Sequence, residues 1–203
     1  MIVMYHKVDV ITPGRWWVSD KQFNQQICRL KKKYQIVHLD DYQIGSRDQA
    51  VLTFDDAYEN VFNHAFPILR RHNIPFEIFV NGDFFGEWNE FDQDEVKTRF
   101  CNLTHLEEMS RFGGRIQWHS KSHKYLPGLN DEELNKQLAI EQSLRNNFPD
   151  PHLKWFSYPY GAHDDLVLSK VRKLFCGAVS VKDGSDSDIY QLNRVVADQA
   201  WAP

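Results

Sequence analysis

Short apolar segments alternate with amphipathic helical segments along almost the whole chain, and this alternation limits the possible folds more than any other feature. Repeated strand–helix units favour a parallel sheet covered by helices. The expected strands are residues 2–5, 35–39, 50–54, 76–80, 115–118, 153–156 and 177–181, with a last apolar run at 190–196. We therefore expect one α/β domain over residues 1–203, with seven or eight βα-like units in a closed or nearly closed arrangement. A barrel is favoured over an open doubly wound sheet.

Capping residues mark the expected starts of the helices. Ser19, Asn130 and Asp164 each precede an apolar stripe at helical spacing, so each is predicted to cap a helix. Thr104 followed by Glu107 has the spacing of a capping box. The stretch that begins at Asn130 is interpreted as one long helix.

Composition excludes several classes of protein. Hydrophobic residues make up 42 % and charged residues 26 % of the 203 residues, which is an ordinary globular balance. The net charge of -4 provides no basic surface for nucleic acid. No stretch is long and apolar enough for a transmembrane segment, and no protein partner is evident. The N-terminus lacks the basic start and apolar run of a signal peptide, so we expect a cytoplasmic protein unless a leader was removed.

Polar residues directly follow several of the predicted strands. His6, the adjacent pair Asp55 and Asp56, and His119 each come at a strand end, and residues 157–161 (SYPYG) follow another strand. If the strands are parallel, their carboxyl ends lie on one rim, so these residues converge there. Two adjacent carboxylates repel each other and lose solvation when buried, so a bound cation would stabilise them.

The spacing of two histidines is compatible with a metal site. His119 and His123 can reach one ion if the backbone turns helically after His119. With one aspartate they make a two-histidine, one-carboxylate set that leaves positions open for water and substrate, and that accepts Zn²⁺, Co²⁺ or Ni²⁺. Each feature has an ordinary alternative: chance spacing for the histidines, a helix cap for the aspartates, a structural role for His6. Their joint placement at strand ends favours the metal site.

Three short motifs then carry a family resemblance. Residues 53–57 read TFDDA, residues 119–123 read HSKSH and residues 157–160 read SYPY. They are similar to the TFDD, H-S/T-x-x-H and R-x-P-Y/F motifs of the polysaccharide deacetylase family, the NodB-homology domains of carbohydrate esterase family 4. The intervening sequence also resembles the family, so the likeness covers most of the chain. The family's last motif, L-x-H, has no counterpart after His163, but residues 4–6 (MYH) resemble its permuted form in the poly-N-acetylglucosamine deacetylase branch.

The resemblance implies an irregular (β/α)7-type barrel, the NodB-homology fold, and metal-assisted hydrolysis of an acetamide on a sugar. It implies that Asp56, His119 and His123 hold the metal, with Zn²⁺ favoured over Co²⁺ or Ni²⁺. By the same resemblance, Asp55 is the general base, and His6 is the general acid that protonates the leaving nitrogen.

The remaining implied roles concern the substrate, an N-acetylated carbohydrate. The backbone N–H of Tyr160 would donate to the oxyanion, and Pro159 would fix the turn that presents it. Met4 would line the pocket for the acetyl methyl group. Tyr158 completes the substrate-binding set with Met4 and Pro159.

Two positions depart from the family pattern. Ala57 replaces the usual glycine, which is a mild change if the backbone there keeps a negative φ. Ser157 replaces an arginine that contacts the catalytic aspartate in many members, and Arg194 is the candidate for a substitute cation. The fourth motif has no convincing counterpart, since Asp183 and Asp186 lie in a stretch typical of a turn.

Three alternatives stand beside an N-deacetylase of polymers. An O-acetyl polysaccharide esterase would use the same site with a better leaving group. A sugar-binding pseudoenzyme would tolerate the loss of the motif-three arginine, although the retained aspartates and histidines argue against it. A lipid-linked or nucleotide-linked sugar would suit a chain without a leader.

Overall fold

A computed structural model of the chain describes residues 1–92, 95–181 and 187–203. The strands are β1 (Ile2–Tyr5), β2 (Lys7–Asp9), β3 (Trp17–Ser19), β4 (Gln35–Ile36), β5 (Gln49–Phe54), β6 (Phe76–Val80), β7 (Gly114–Trp118), β8 (Trp155–Ser157), β9 (Gly177–Val179) and β10 (Val195–Val196). Eight of them form one parallel sheet in the order β10-β1-β5-β6-β7-β8-β9, with β4 paired to the start of β5. β2 and β3 form a separate two-stranded sheet that the sequence did not indicate.

The main sheet curls until one C-terminal segment contacts both of its edges. Leu192 makes a parallel bridge to Val179 of β9, and its carbonyl accepts a hydrogen bond from Ser180 N at 2.8 Å. A few residues later, β10 pairs with β1. The described strands therefore form a curled parallel sheet with helices, which confirms the expected irregular barrel.

The described residues form six α-helices, three of which confirm the predicted caps. The helices are α1 (Asp20–Lys33), α2 (Phe66–His72), α3 (Leu103–Arg111), α4 (Asp131–Leu138), α5 (Gln142–Asn147) and α6 (Asp165–Leu174). The side chains of Ser19, Asn130 and Asp164 accept hydrogen bonds from the first turns of α1, α4 and α6. The capping box at Thr104 is wrong, because α3 begins earlier and its cap is Asn102, which accepts from His105 N at 2.9 Å.

The single long helix expected after Asn130 is also wrong, because the chain forms α4 and α5 with a break between them. The Gln137 carbonyl explains the break. It accepts from Lys121 N at 2.9 Å and from Trp118 Nε1 at 3.2 Å, so it is engaged outside the helix. Ala139 and Glu141 then take extended backbone angles. These tertiary hydrogen bonds to the Gln137 carbonyl take the place of the intrahelical bond that would have continued α4.

Three expected strands are shorter than predicted. The segment at 35–39 pairs only over β4, and Leu39–Asp41 forms a 3-10 turn in which Leu39 N donates to Glu77 Oε1 at 3.0 Å. The segment at 177–181 ends with β9 at Val179, and the run at 190–196 pairs only through Leu192 and β10. Alternation and hydrophobicity indicate where a strand lies, but its ends depend on which partner reaches its backbone.

The two faces of the sheet bury different sets of side chains. Phe76 and Ile78 of β6 pack with residues of α1 and α3 in the outer core, between sheet and helices. Phe79 belongs to a smaller cluster with Ile2 and Val51, on the opposite, inner face. Because side chains alternate along a strand, His6, Asp55 and other residues in step with Ile2 and Val51 face inward.

No helix in the described part of the chain is long and apolar enough to cross a membrane.

Candidate active site

Residues from four strand ends share one cavity of about 300 Å³. His6 follows β1, Asp55 follows β5, His119 follows β7 and Tyr158 follows β8, each at the carboxyl end of its strand. The cavity is also lined by Met4, Asp56, His123, Tyr158, Tyr160 and Arg194. The structure therefore brings together nine of the ten predicted site residues. Pro159 is the exception, since it is buried in its turn and does not line the cavity.

Asp56, His119 and His123 form a compact group of metal-binding type. Asp56 Oδ1 lies 3.4 Å from His123 Nε2 and 3.7 Å from His119 Nε2. All three side chains are at most 9 % exposed. The His119 Nδ1 atom lies 2.7 Å from the Ser157 carbonyl oxygen, which can only accept, so Nδ1 carries the proton and Nε2 keeps its lone pair toward Asp56.

The electrostatics of this group suit metal ligands. Burial lowers the pKa of His123 to about 4, so its imidazole is neutral at pH 7 and has a lone pair to offer. Burial raises the pKa of Asp56, but the neighbouring His123 and His119 outweigh this effect and lower it overall. Asp56 is therefore an ionised acceptor between two imidazole nitrogens.

The three residues fit a divalent metal ion. Their ligand atoms lie within 4.8 Å of one another. Ligands on one tetrahedral ion at roughly 2.0–2.2 Å would be about 3.4 Å apart, close to the two observed N–O distances. The ring atom His123 Nδ1 is buried without a partner among the described residues, so this imidazole is not held by another hydrogen bond from its second nitrogen.

The backbone around the candidate ligands differs from both conditions considered from the sequence. His119 and His123 were predicted to reach one ion if the backbone turned helically after His119, but Ser120 and His123 take left-handed conformations, with φ of 73° and 53°. Alanine in place of the usual glycine at position 57 was expected to be a mild change if φ there stayed negative. The φ angle of Ala57 is instead 55°, and that of the adjacent Asp56 is 66°. These positions cost energy for residues with a Cβ, so Ala57 stores strain that the usual glycine would not.

Asp55 does not join the ligand cluster but pairs with Arg194. The guanidinium binds the carboxylate through two bonds, Nη1 to Oδ1 at 2.7 Å and Nη2 to Oδ2 at 2.6 Å. Its other donors go to Thr53 Oγ1, Ser157 Oγ and the Ser180 carbonyl. All five N–H groups of this buried arginine are thus satisfied.

Arg194 contacts Ser157, the serine that stands where many members of the family have an arginine. Ser157 Oγ lies 2.9 Å from Arg194 Nη2 and donates to Asp55 Oδ2 at 3.3 Å. A guanidinium thus reaches the aspartate from near β10 instead of from β8. Burial raises the pKa of Asp55, but the charge and hydrogen bonds of Arg194 dominate and hold that pKa well below its usual range.

His6 is half-buried at the end of β1 and packs against Trp16, with ring centroids 4.6 Å apart. Burial lowers the pKa of His6, against the raising effect of the Asp55 and Asp56 charges. Both aspartates act on it because all three residues line the same cavity. A histidine with a lowered pKa releases its proton more readily.

The turn after β8 presents Tyr160 at the cavity with a left-handed backbone, φ 58° and ψ 12°. Met4 is buried and lines the cavity. Tyr158 also lines it, but its hydroxyl donates to the Tyr190 carbonyl at 3.0 Å. The Tyr158 hydroxyl is therefore engaged by the protein itself.

Several residues of the candidate site were not predicted from the sequence. Asn81 Nδ2 donates to Asp56 Oδ1 at 2.9 Å, on the oxygen that faces the histidines. Asn81 directly follows β6, so the rule used for the other strand ends would have found it. Trp16, Lys7 and Phe91 line the cavity from segments without a recognisable motif. Asp183 and Asp186 lie outside the described residues.

Comparisons with known proteins agree on one family. The family model described as "Polysaccharide deacetylase" matches residues 43–177. The Bacillus subtilis (strain 168) protein YxkH is 26 % identical over 149 residues, which cover 71 % of this chain and 50 % of that protein. The poly-beta-1,6-N-acetyl-D-glucosamine N-deacetylase of Staphylococcus aureus (strain MSSA476) is 27 % identical over 135 residues, covering 60 % and 43 %. The chain thus spans about half the length of these curated relatives.

Solved structures share the fold over nearly the whole chain. The Streptococcus pyogenes deacetylase PplD, solved in complex with acetate, has a TM-score of 0.81 at 20 % identity and covers 98 % of this chain and 92 % of its own. IcaB from Ammonifex degensii has a TM-score of 0.81 at 22 % identity, covering 97 % and 91 %. At these identities the likeness establishes the fold.

Proposed function

Since the chain belongs to the polysaccharide deacetylase family, we propose that it is a metal-dependent hydrolase that removes N-acetyl groups from an N-acetylated sugar or polysaccharide. One observation carries the proposal. The cluster of Asp56, His119 and His123 lies beside the Asp55–Arg194 ion pair in a single cavity. A metal-ligand set next to an ionised carboxylate is an arrangement that supports metal-assisted hydrolysis of an amide.

The first requirement is an activated water. A divalent ion, with Zn²⁺ favoured, held by Asp56, His119 and His123 would lower the pKa of a water molecule and polarise the acetyl carbonyl. Asp55 accepts the proton of the water that adds to the carbonyl carbon. Arg194 keeps Asp55 ionised and fixes the plane of its carboxylate, so that an acceptor is ready before substrate arrives.

The second requirement is stabilisation of the tetrahedral oxyanion and a proton for the leaving nitrogen. The backbone N–H of Tyr160 donates to the oxyanion, and the left-handed turn at this residue fixes the direction of that donor. His6 protonates the sugar nitrogen as the C–N bond breaks. The products are acetate and a free amine, and Met4 lines the pocket for the acetyl methyl group.

A relative supports the substrate class, and Arg194 supports catalysis. The Staphylococcus aureus relative is named for poly-beta-1,6-N-acetyl-D-glucosamine, which supports an N-acetylglucosamine polymer here. Arg194 supports an enzyme over the sugar-binding pseudoenzyme, because it supplies the cation whose loss at Ser157 was the main argument for inactivity.

Asp55→Asn separates the base from the ligands. We expect acetate release from N-acetylglucosamine oligomers to fall by about 10²–10⁴-fold while one Zn²⁺ remains bound per chain. His119→Ala should instead abolish stoichiometric metal binding, measured by metal analysis after gel filtration. Asp131→Asn, an exposed carboxylate outside the cavity, is the matched control. Wild-type turnover by Asp55→Asn would remove the assigned base.

An activated aryl acetate tests the acid and the O-acetyl alternative together. Its leaving group needs no proton, so His6→Ala should impair N-acetyl substrates far more than aryl acetate. Equal losses on both substrates would contradict the acid role. Acetate release from O-acetylated but not N-acetylated sugar would identify the esterase instead.

A further inference from the structure

Two exposed tyrosines extend outward from the metal-ligand cluster. The Tyr160 ring lies against His123 with centroids 4.8 Å apart, and Tyr125 follows it with centroids 6.2 Å apart and a 46° angle between the rings. The two tyrosines are 59 % and 58 % exposed. Phe91, which lines the cavity, stacks on His123 with ring centroids 4.4 Å apart. A row of aromatic rings thus runs from the cavity to the surface.

The outer end of this row is held in position by the segments that build the site. Tyr160 takes a left-handed backbone, which is costly for a bulky residue and persists only where the surroundings enforce it. Tyr125 comes two residues after His123, so the same loop sets its location. Exposed aromatic surface beside a catalytic cavity is typical of a binding site.

The size of the cavity indicates which part of a substrate would contact these rings. A volume of about 300 Å³ is at the small end for ligand sites, which range from roughly 300 to 1,000 Å³. It suits one sugar unit with its acetyl group. Any further unit of a chain must therefore lie outside the cavity, against its rim. The apolar C–H face of a sugar ring packs well on an aromatic face.

We propose that Tyr125 and Tyr160 form a stacking subsite for the sugar next to the one that loses its acetyl group. The substrate is accordingly an oligosaccharide or polymer rather than a lipid-linked or nucleotide-linked monosaccharide. This inference rests on the proposed deacetylase function and specifies its substrate. Tyr125 is the specificity-determining residue, since it contributes to binding outside the reacting centre.

Steady-state kinetics with β-1,4- and β-1,6-linked N-acetylglucosamine oligomers of one to five units test the subsite. We expect wild-type kcat/KM to rise at least tenfold from one unit to three. Tyr125→Ala should raise KM for the trimer and pentamer by about tenfold, with kcat within twofold and monomer kinetics unchanged. Tyr125→Phe keeps the ring and should retain wild-type values.

Phe112→Ala is the matched control. Phe112 is also an exposed aromatic residue, 42 % exposed, but it precedes β7 at the opposite end of the sheet from the cavity. It should leave the dependence on chain length unchanged. A monomer turned over as well as the pentamer, or an unchanged KM in Tyr125→Ala, would overturn the subsite.

Calorimetric binding keeps the two proposals distinguishable. If no oligomer releases acetate, the proposed function fails, and pentamer and monomer binding are then compared directly. Pentamer binding that is weakened about tenfold by Tyr125→Ala would still support the subsite, whereas equal binding by the variant and wild type would reject it. Circular dichroism confirms that the exposed substitution leaves the fold intact.

Discussion

The different surroundings of the two adjacent aspartates, Asp55 and Asp56, originate in the backbone. Five of the seven described non-glycine residues with positive φ lie in the segments that build the site: Asp56, Ala57, Ser120, His123 and Tyr160. Such conformations cost about 1–3 kcal/mol each and persist where the surroundings determine them. The left-handed turn at Asp56 directs this side chain toward the histidines, while Asp55 continues the inward alternation of β5 toward Arg194. Backbone strain thus separates two neighbouring charges.

Arg194→Met tests the support behind Asp55. The substitution leaves a buried carboxylate without its cation, so we expect a loss of about 3–5 kcal/mol in the free energy of unfolding at pH 7, measured by urea denaturation. Because the folded-state pKa of Asp55 is depressed, the contribution of the pair is complete above about pH 4 and is lost as pH falls through the folded value. The difference between variant and wild type should therefore shrink in acid.

Exchanging the residues at positions 157 and 194 tests the same support for Asp55 through activity. Arg194→Ser should lower acetate release by at least tenfold, and adding Ser157→Arg should recover part of it, because both residues contact the Asp55 carboxylate. If the double variant recovered no acetate release and Arg194→Met left the free energy of unfolding unchanged, the proposed role of Arg194 in supporting Asp55 would be contradicted.

At the level of elements, Phe91 and Asp92 form part of one wall of the cavity from the segment between β6 and α3, and a buried lysine anchors the described residues near them. Lys7 is 1 % exposed, and its Nζ lies 3.1 Å from Glu95 Oε2 and 4.2 Å from the ring centroid of Tyr58. Trp17 Nε1 donates to the same Glu95 oxygen at 2.8 Å. The small β2–β3 sheet thereby fixes the segment that carries Phe91.

Lys7→Met should loosen this wall. Glu95 would keep the Trp17 donor but lose its buried cation, so we expect faster proteolysis within residues 83–100 and a KM for oligomers raised about fivefold, with kcat within threefold. Lys97→Met is the matched control, because Lys97 lies in the same segment but is 62 % exposed in its pair with Glu90. Equal proteolysis of wild type and Lys7→Met would contradict the anchoring role.

Features set by local hydrogen bonds were predictable from the sequence, whereas features set by tertiary contacts were not. Caps such as Asn130 were predictable because the bond closes within three residues. The break after α4 was not, because it depends on Lys121 and Trp118 binding the Gln137 carbonyl from a distant strand end. Strand cores were likewise found by pattern, whereas strand ends were set by partners.

The candidate site shows the same limit. The convergence of the strand-end residues followed from parallel topology, and the motif resemblance supplied the proposed role of His6 and the expectation of a cation beside Asp55, for which Arg194 was the candidate. The left-handed backbone at Ala57 and Ser120 did not follow, because neither residue type announces a positive φ. The contribution of Lys7 was also hidden, since a lysine beside a strand is ordinarily solvated.

Across the whole molecule, the inner face of the sheet carries the site at one end and a second polar network deeper inside. Glu77 of β6 is fully buried and accepts from His38 Nδ1 at 2.9 Å, Leu39 N at 3.0 Å and Gln117 Nε2 at 2.7 Å. Gln117 Oε1 in turn accepts from Trp155 N. The network connects β6, β7 and β8 with the turn after β4, so it holds the curl on which convergence of the strand ends depends.

Glu77→Leu separates the stability of the curled sheet from the chemistry of the site. Three donors, two of them buried, would lose their acceptor, so we expect the free energy of unfolding to fall by about 3–5 kcal/mol in urea denaturation. Glu132→Leu, in an exposed pair with Lys136, should cost no more than about 0.5 kcal/mol. The folded fraction of Glu77→Leu should bind Zn²⁺ with wild-type affinity, since Asp56, His119 and His123 are untouched. A Zn²⁺ affinity weakened tenfold in fully folded protein would mean that the inner network positions the ligands directly, and not only the sheet that carries them.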